Sequence, residues 1–145
     1  MSDRHDIIRT AAAAAYNSAF EVIESGDEPL KGLELAAASL YLWREVGNDQ
    51  NLAIGYWLYS RSLIAAESFD LAIEAAEKSL EHTSIISEAP DWLIASAFEG
   101  YARALKSAGD NRAKAAIAKA AELIDLIVDL EDRALIAGQF ADLRD

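Results

Sequence analysis

Cysteine is absent from this 145-residue chain, so disulfides, thiolate metal sites and cysteine nucleophiles are all excluded. Only two prolines and seven glycines occur, too little turn punctuation for an all-β fold. Basic residues are scarce: 13 Lys and Arg stand against 25 Asp and Glu, a net charge of −12. A field of that sign repels phosphate backbones and anionic headgroups, which argues against nucleic-acid and membrane-surface roles. No uncharged run is longer than that from Thr10 to Phe20, which is far short of the roughly 20 apolar residues that a membrane span needs. The start of the chain, Met1-Ser2-Asp3-Arg4-His5-Asp6, is mixed in charge and reads as the beginning of an amphipathic helix rather than a leader. A cytoplasmic protein is the expectation.

What is abundant is alanine, with thirty copies, followed by Leu and Glu. These residues lose little freedom on entering a helix. Apolar periodicity predicts helices over 6–25, 28–46, 49–66, 69–82, 90–107, 110–128 and 130–143, in a single domain spanning 1–145. Gly26, Gly47, the Glu67-Ser68 pair and Gly109 mark ends, Pro90 suits a first helical turn, and Asp129 suits a cap for the last helix. The third segment, with Leu52, Ile54, Tyr56, Trp57, Tyr59, Leu63 and Ile64, is apolar nearly all round, as befits a helix between neighbours.

The sequence also repeats. Gly32, Ala36 and Ser39 share a spacing with Ala72, Ala76 and Ser79, and a third copy is expected at Lys114, Ala118 and Ala121. Small residues four and three apart share one helix face, where a second helix can approach closely. Each copy follows a turn, which gives a helix–turn–helix unit repeated three times and closed by a last helix.

The segment from Ser68 to Leu80, an aromatic residue after a turn followed by alanines, resembles the second helix of a tetratricopeptide repeat (TPR). Ala97 to Asp110 resembles a first helix and its turn, with Ala102 as the small contact residue, and Ser60 matches Ala102 in the middle hairpin. The family period is about 34 residues and these hairpins are longer, so the likeness is to the TPR-like superfamily and its small stand-alone bacterial proteins. That resemblance implies an all-α fold of three stacked antiparallel helix hairpins plus a C-terminal capping helix, about seven helices in an α-α superhelix. It also implies a protein- or peptide-interaction scaffold without catalytic activity, whose first helices line a concave face.

Counting helical turns from the small contact residues places Ile54, Trp57, Arg61 and Ile64 on that face in the middle hairpin, and Ser96, Glu99, Arg103 and Lys106 in the third. Arg61, Arg103 and Lys106 would form a basic spot beside an aromatic anchor, suited to a partner with an acidic group. Against this stands the plainer reading that Trp57 is core and the cations solvate a face. The Lys and Asn of the family's carboxylate clamp are replaced by Trp57 and Arg61. Tyr41, Trp43, Tyr56, Trp57 and Tyr59 either fill the seam between the first two hairpins or leave some rings exposed for a homodimer. Ala11 to Ala15 form a second close-approach surface, for a dimer or for packing within the chain.

Other chemistry lacks its signatures. His5 and His82 stand alone, on different helices, and read as surface residues; no metal, catalytic group or cofactor is expected. No Gly-x-Ser-x-Gly elbow or Gly-rich phosphate loop is present. The alternative is a small-molecule-binding or enzymatic helical bundle with a pocket near Trp57 and Tyr59.

Overall fold

The computed structural model describes residues 2–144. Met1 and Asp145, the ends of the expected 1–145 domain, lie outside the described residues. Among the described residues there are seven α-helices: α1 (Ser2–Ser25), α2 (Pro29–Val46), α3 (Asp49–Ala65), α4 (Phe69–Ile85), α5 (Asp91–Ser107), α6 (Ala113–Asp125) and α7 (Leu130–Phe140), the last continued by a 3-10 turn, Ala141–Leu143. Helices α1/α2, α3/α4 and α5/α6 pair as hairpins that stack in chain order, and α7 packs on α5 and α6. The expected architecture is present.

The small residues explain the pairing. In the first helices, Ala12, Ala53 and Ala95 are fully buried, as are Ala19, Ser60 and Ala102 seven residues further on. In the second helices, Gly32, Ala36 and Ser39, and Ala72, Ala76 and Ser79, are buried as the spacing predicts. Ser39 Oγ donates to the Ala12 carbonyl at 2.8 Å, and Ser79 Oγ to that of Ala53 at 2.7 Å. Backbones approach closely enough for a serine hydroxyl to span the seam. Ala120, also fully buried, occupies that place in the third hairpin without a hydroxyl.

The third copy sits in a different register from the expectation. Lys114 and Ala118 are exposed and Ala121 only half-buried, whereas Ala113 is half-buried and Ala116 and Ala120 are buried. The repeat offset is therefore 41 residues rather than 42, counting Ala72 to Ala113 and Ser79 to Ala120. An unpaired ammonium cannot be taken into a dry seam cheaply, so Lys114 faces water and the alanine before it faces α5.

Helix boundaries show where local chemistry overrides periodicity. α1 begins at Ser2, earlier than expected. α4 runs three residues past His82, carrying Thr83 into the core with its Oγ1 donating to the Ser79 carbonyl at 2.8 Å. α6 starts late because Asp110 folds back to accept from the Arg112 N–H at 2.8 Å. It stops early, at Asp125, so that Ile127 can enter the core, while Asp91 accepts the Val128 N–H at 2.9 Å. Asp129 caps α7 as expected, accepting from the Asp132 N–H at 2.9 Å.

The three hairpin turns share one device. Gly26 and Gly109 take positive φ, +74° and +69°, and Glu67 takes the equivalent place at φ 60°. The Ser68 N–H reaches back to the Leu63 carbonyl at 2.9 Å, and Asp110 N–H to Leu105 at 3.0 Å, closing the helix ends in the same way.

Candidate functional site

The first helices α1, α3 and α5 lie side by side, and α7 continues the row. Residues one repeat apart consequently form columns across the array. Ala13, Ile54, Ser96 and Leu135 make one; Tyr16, Trp57, Glu99 and Gly138 the next; Phe20, Arg61, Arg103 and Asp142 the third, with offsets of 41, 42 and 39 residues.

Between these columns is a largely apolar cavity of about 230 Å³, lined by residues that include Tyr16, Phe20, Ile54, Trp57, Trp92, Ser96, Leu135 and Gln139. It opens beside a wider mouth of about 570 Å³ lined by Glu24, Arg61, Arg103 and Asp142, with Phe20, Leu135 and Gln139 common to both. Trp57 is only 6% exposed, and its ring lies parallel to that of Phe20 at 6.4 Å between centroids. Its close seating on α5 requires Gly100, where a Cβ would stand 2.8 Å from Trp57 Cδ1.

Beneath the mouth, Glu99 is fully buried and three side chains donate to its carboxylate. Trp57 Nε1 donates to Glu99 Oε1 at 2.9 Å, Arg61 Nη2 donates to Oε2 at 3.2 Å, and Arg103 Nε donates to Oε2 at 2.8 Å. Arg103 continues outward to Asp142, at 2.8 and 2.9 Å, and to the Gln139 carbonyl at 2.7 Å, so α3, α5 and the end of α7 are joined through one carboxylate. Burial works against the charge on Arg103, but its bonds to Asp142 and Glu99 prevail and hold it above the ordinary guanidinium range. The same guanidinium holds Asp142 below the usual carboxylate range. Burial pushes the Tyr16 hydroxyl up to about 12, with Arg61 pulling in the opposite direction. Arg61 also lies over the Trp57 ring at 4.8 Å, and its buried Nε has no acceptor.

The structure thus brings together Ile54, Trp57, Ser96, Glu99, Arg61 and Arg103. Arg61 and Arg103 are not a free basic spot, because Glu99 and Asp142 neutralise them; a buried carboxylate of this kind must be paired. Ile64 is half-buried against the core between the second and third hairpins, and Lys106 is exposed; neither lines the cavity. Sequence reasoning missed Tyr16, Phe20, Trp92, Leu135, Gln139 and Asp142. Extending the columns by one repeat in each direction recovers four of them.

The remaining aromatic residues divide. Tyr41 is 63% exposed, while Trp43 is half-buried with Arg9 stacked over it. Tyr59 is separated from Trp57: it lines a different depression, of about 210 Å³, together with Arg44, Tyr56 and Lys78. His82 is not a plain surface residue. Its Nδ1 lies 3.0 Å from Asp49 Oδ1 and its ring stacks on Tyr56 at 5.7 Å, while Arg44 holds the Tyr56 hydroxyl. Within the Ala11–Ala15 strip, Ala12 alone is fully buried, against α2. Among the described residues no helix is long and apolar enough to cross a membrane, and no group of three His, Asp or Glu is placed to hold a metal ion.

This arrangement of stacked hairpins with a concave row of first helices is the TPR-like fold. It is similar over 97% of this chain, and 99% of the other, to the crystal structure of a TPR-like protein from Chlorobium tepidum TLS, with a TM-score of 0.73 and 18% sequence identity. At that identity the likeness is one of fold. No protein-family model and no curated protein matches the sequence.

Proposed function

We propose that this chain is a cytoplasmic protein- or peptide-interaction scaffold with no catalytic activity of its own, and that it engages its partner through the concave cavity. The observation that carries this reading is the cavity itself. At about 230 Å³ it is smaller than the roughly 300–1,000 Å³ of typical small-molecule sites, yet roomy enough for one ring or branched side chain. Aromatic walls at Tyr16, Phe20, Trp57 and Trp92 suit such an anchor, since a large apolar side chain in a dry pocket dominates binding. Arg61 and Arg103 act as fixed walls that stiffen the site through Glu99.

Leu135 provides the test, because it lines the cavity while remaining 63% exposed, so its replacement does not disturb the core. Leu135→Glu is expected to abolish partner capture at an unchanged melting temperature. Undiminished capture would remove the cavity from the binding site. A metabolite that raises the melting temperature of the wild type but not of Leu135→Glu would favour the small-molecule alternative.

A further inference from the structure

Two arginines line the mouth of the concave cavity, and they differ in how many of their donors are used. Arg103 uses all three nitrogens: Nε on Glu99, Nη1 on Asp142, and Nη2 on Asp142 and the Gln139 carbonyl. Arg61 uses only Nη2, which donates to Glu99 at 3.2 Å. Its Nε is buried without an acceptor, and among the described residues nothing accepts from Nη1, which is not buried. The guanidinium is nevertheless held in place, by the ion pair with Glu99 and by the Trp57 ring at 4.8 Å. A fixed guanidinium with unused donors at the mouth of a cavity is suited to receive an acceptor.

Charge decides which acceptor. The charges of Arg61 and Arg103 are cancelled by those of Glu99 and Asp142, and Glu24 on the same rim adds a further negative charge. A carboxylate entering the mouth would give up its water to meet ion pairs already satisfied and an acid of its own sign. A carbonyl oxygen gives up less and still accepts the hydrogen bond. Geometry decides what carries it. Trp57 and Arg61 are four residues apart on α3, about 6 Å along its axis at roughly 1.5 Å per residue, which matches the reach from an aromatic ring to its own main chain. The cavity, at about 230 Å³, is larger than the roughly 150 Å³ of an apolar cavity that takes up benzene, so a ring fits. A helical segment uses its carbonyls internally, whereas an extended one keeps them available.

We propose that the concave site reads an internal aromatic residue of an extended partner segment. The uncharged ring fills the cavity, and the main-chain carbonyl of the same residue accepts from Arg61 Nη1. This rests on the reading of the cavity as the partner site and adds Arg61 to it as the specificity-determining donor. An acidic side chain or a free C-terminal carboxylate is selected against.

Three N-acetylated probes test it, titrated into the full chain and followed by the indole N–H resonance of Trp57. The first is a pentapeptide amide with phenylalanine between pairs of alanines. The second ends in phenethylamine after two alanines, which keeps the ring and removes that carbonyl. The third ends at the phenylalanine with a free carboxylate. Wild type is expected to bind the first saturably, the second at least about tenfold more weakly, and the third more weakly than the first. Arg61→Met should close the gap between the first two. The wild-type comparison stands even where Arg61→Met fails to fold. Equal binding of the first two probes by wild type, a gap that persists in folded Arg61→Met, or tighter binding of the third would overturn the assignment of Arg61. Saturable binding that Leu135→Glu abolishes would still keep the cavity as the partner site in those cases. Failure of every probe to saturate would overturn both.

Discussion

The indole nitrogen of Trp57 donates a 2.9 Å hydrogen bond to Glu99 across the seam between the second and third hairpins, 42 residues apart in the chain. Both side chains come from one column of the concave face, so the repeat itself brings them together. Because Glu99 has no exposed surface, the indole and the two arginines must between them replace its water.

Removing that charge should cost more than removing an ordinary surface ion pair. Glu99→Gln keeps the shape and an acceptor for Trp57 but leaves Arg61 facing a neutral group. We expect a loss of about 2–3 kcal/mol in urea unfolding, below the roughly 3–5 kcal/mol of a fully buried broken pair because the arginines reach the groove. Arg61→Glu should be worse than Arg61→Met, since it sets two carboxylates together. It is therefore a poor probe of binding, contrary to the expectation that Arg61 stands free.

Glu67 holds a left-handed conformation that glycine holds at the two equivalent turns. A non-glycine residue there costs about 1–2 kcal/mol, partly offset by the greater freedom of glycine in the unfolded chain. Glu67→Gly should stabilise the protein by about 0.5–1 kcal/mol, and Gly109→Ala should destabilise it by about 1 kcal/mol. Shifts of opposite sign at homologous turns make denaturant midpoints a direct check.

The hairpin seams should reject bulk where the register places them and accept it elsewhere. Ala72→Leu and Ala76→Leu are expected to cost about 1–3 kcal/mol or more through overpacking. Ala118→Leu, on the exposed side of α6, should stay within about 0.5 kcal/mol of wild type. A costly Ala118→Leu would restore the register that the structure displaces.

Tyr16 gives the cavity a signature in alkaline solution. Burial raises its hydroxyl pKa, so the folded state keeps a proton that the unfolded state gives up. Stability from this group is fully present below the ordinary value of 10.0 and is lost as pH rises towards about 12. Tyr16→Phe should remove a late tyrosinate step from the ultraviolet titration and flatten the fall in stability across that window.

The parts of this fold that could be read in advance were those where only a small residue fits. Ala36, Ser39, Ala72, Ala76, Ser60 and Ala102 declare themselves because no other side chain permits such close seams. Charged residues carry no comparable mark: Glu99 reads as one more solvated acid until Arg61, Arg103 and Trp57 converge on it from separate elements. The third register slipped for a related reason, since α6 is alanine-rich on several faces and only its few charged residues, among them Lys114, Lys119 and Glu122, distinguish outside from inside. The contributions of α1 and α7 to the cavity were hidden by counting along two hairpins alone.

The most direct test of the interaction reading is photo-crosslinking in the native host, with a photoreactive amino acid in place of Leu135 at the cavity edge and, as the comparison, in place of the exposed Glu122 on α6. A discrete adduct formed from position 135, absent from position 122, and competed by unlabelled wild-type protein is the predicted result. No adduct from 135, or the same adducts from both positions, would contradict the concave cavity as the place where this chain meets its partner.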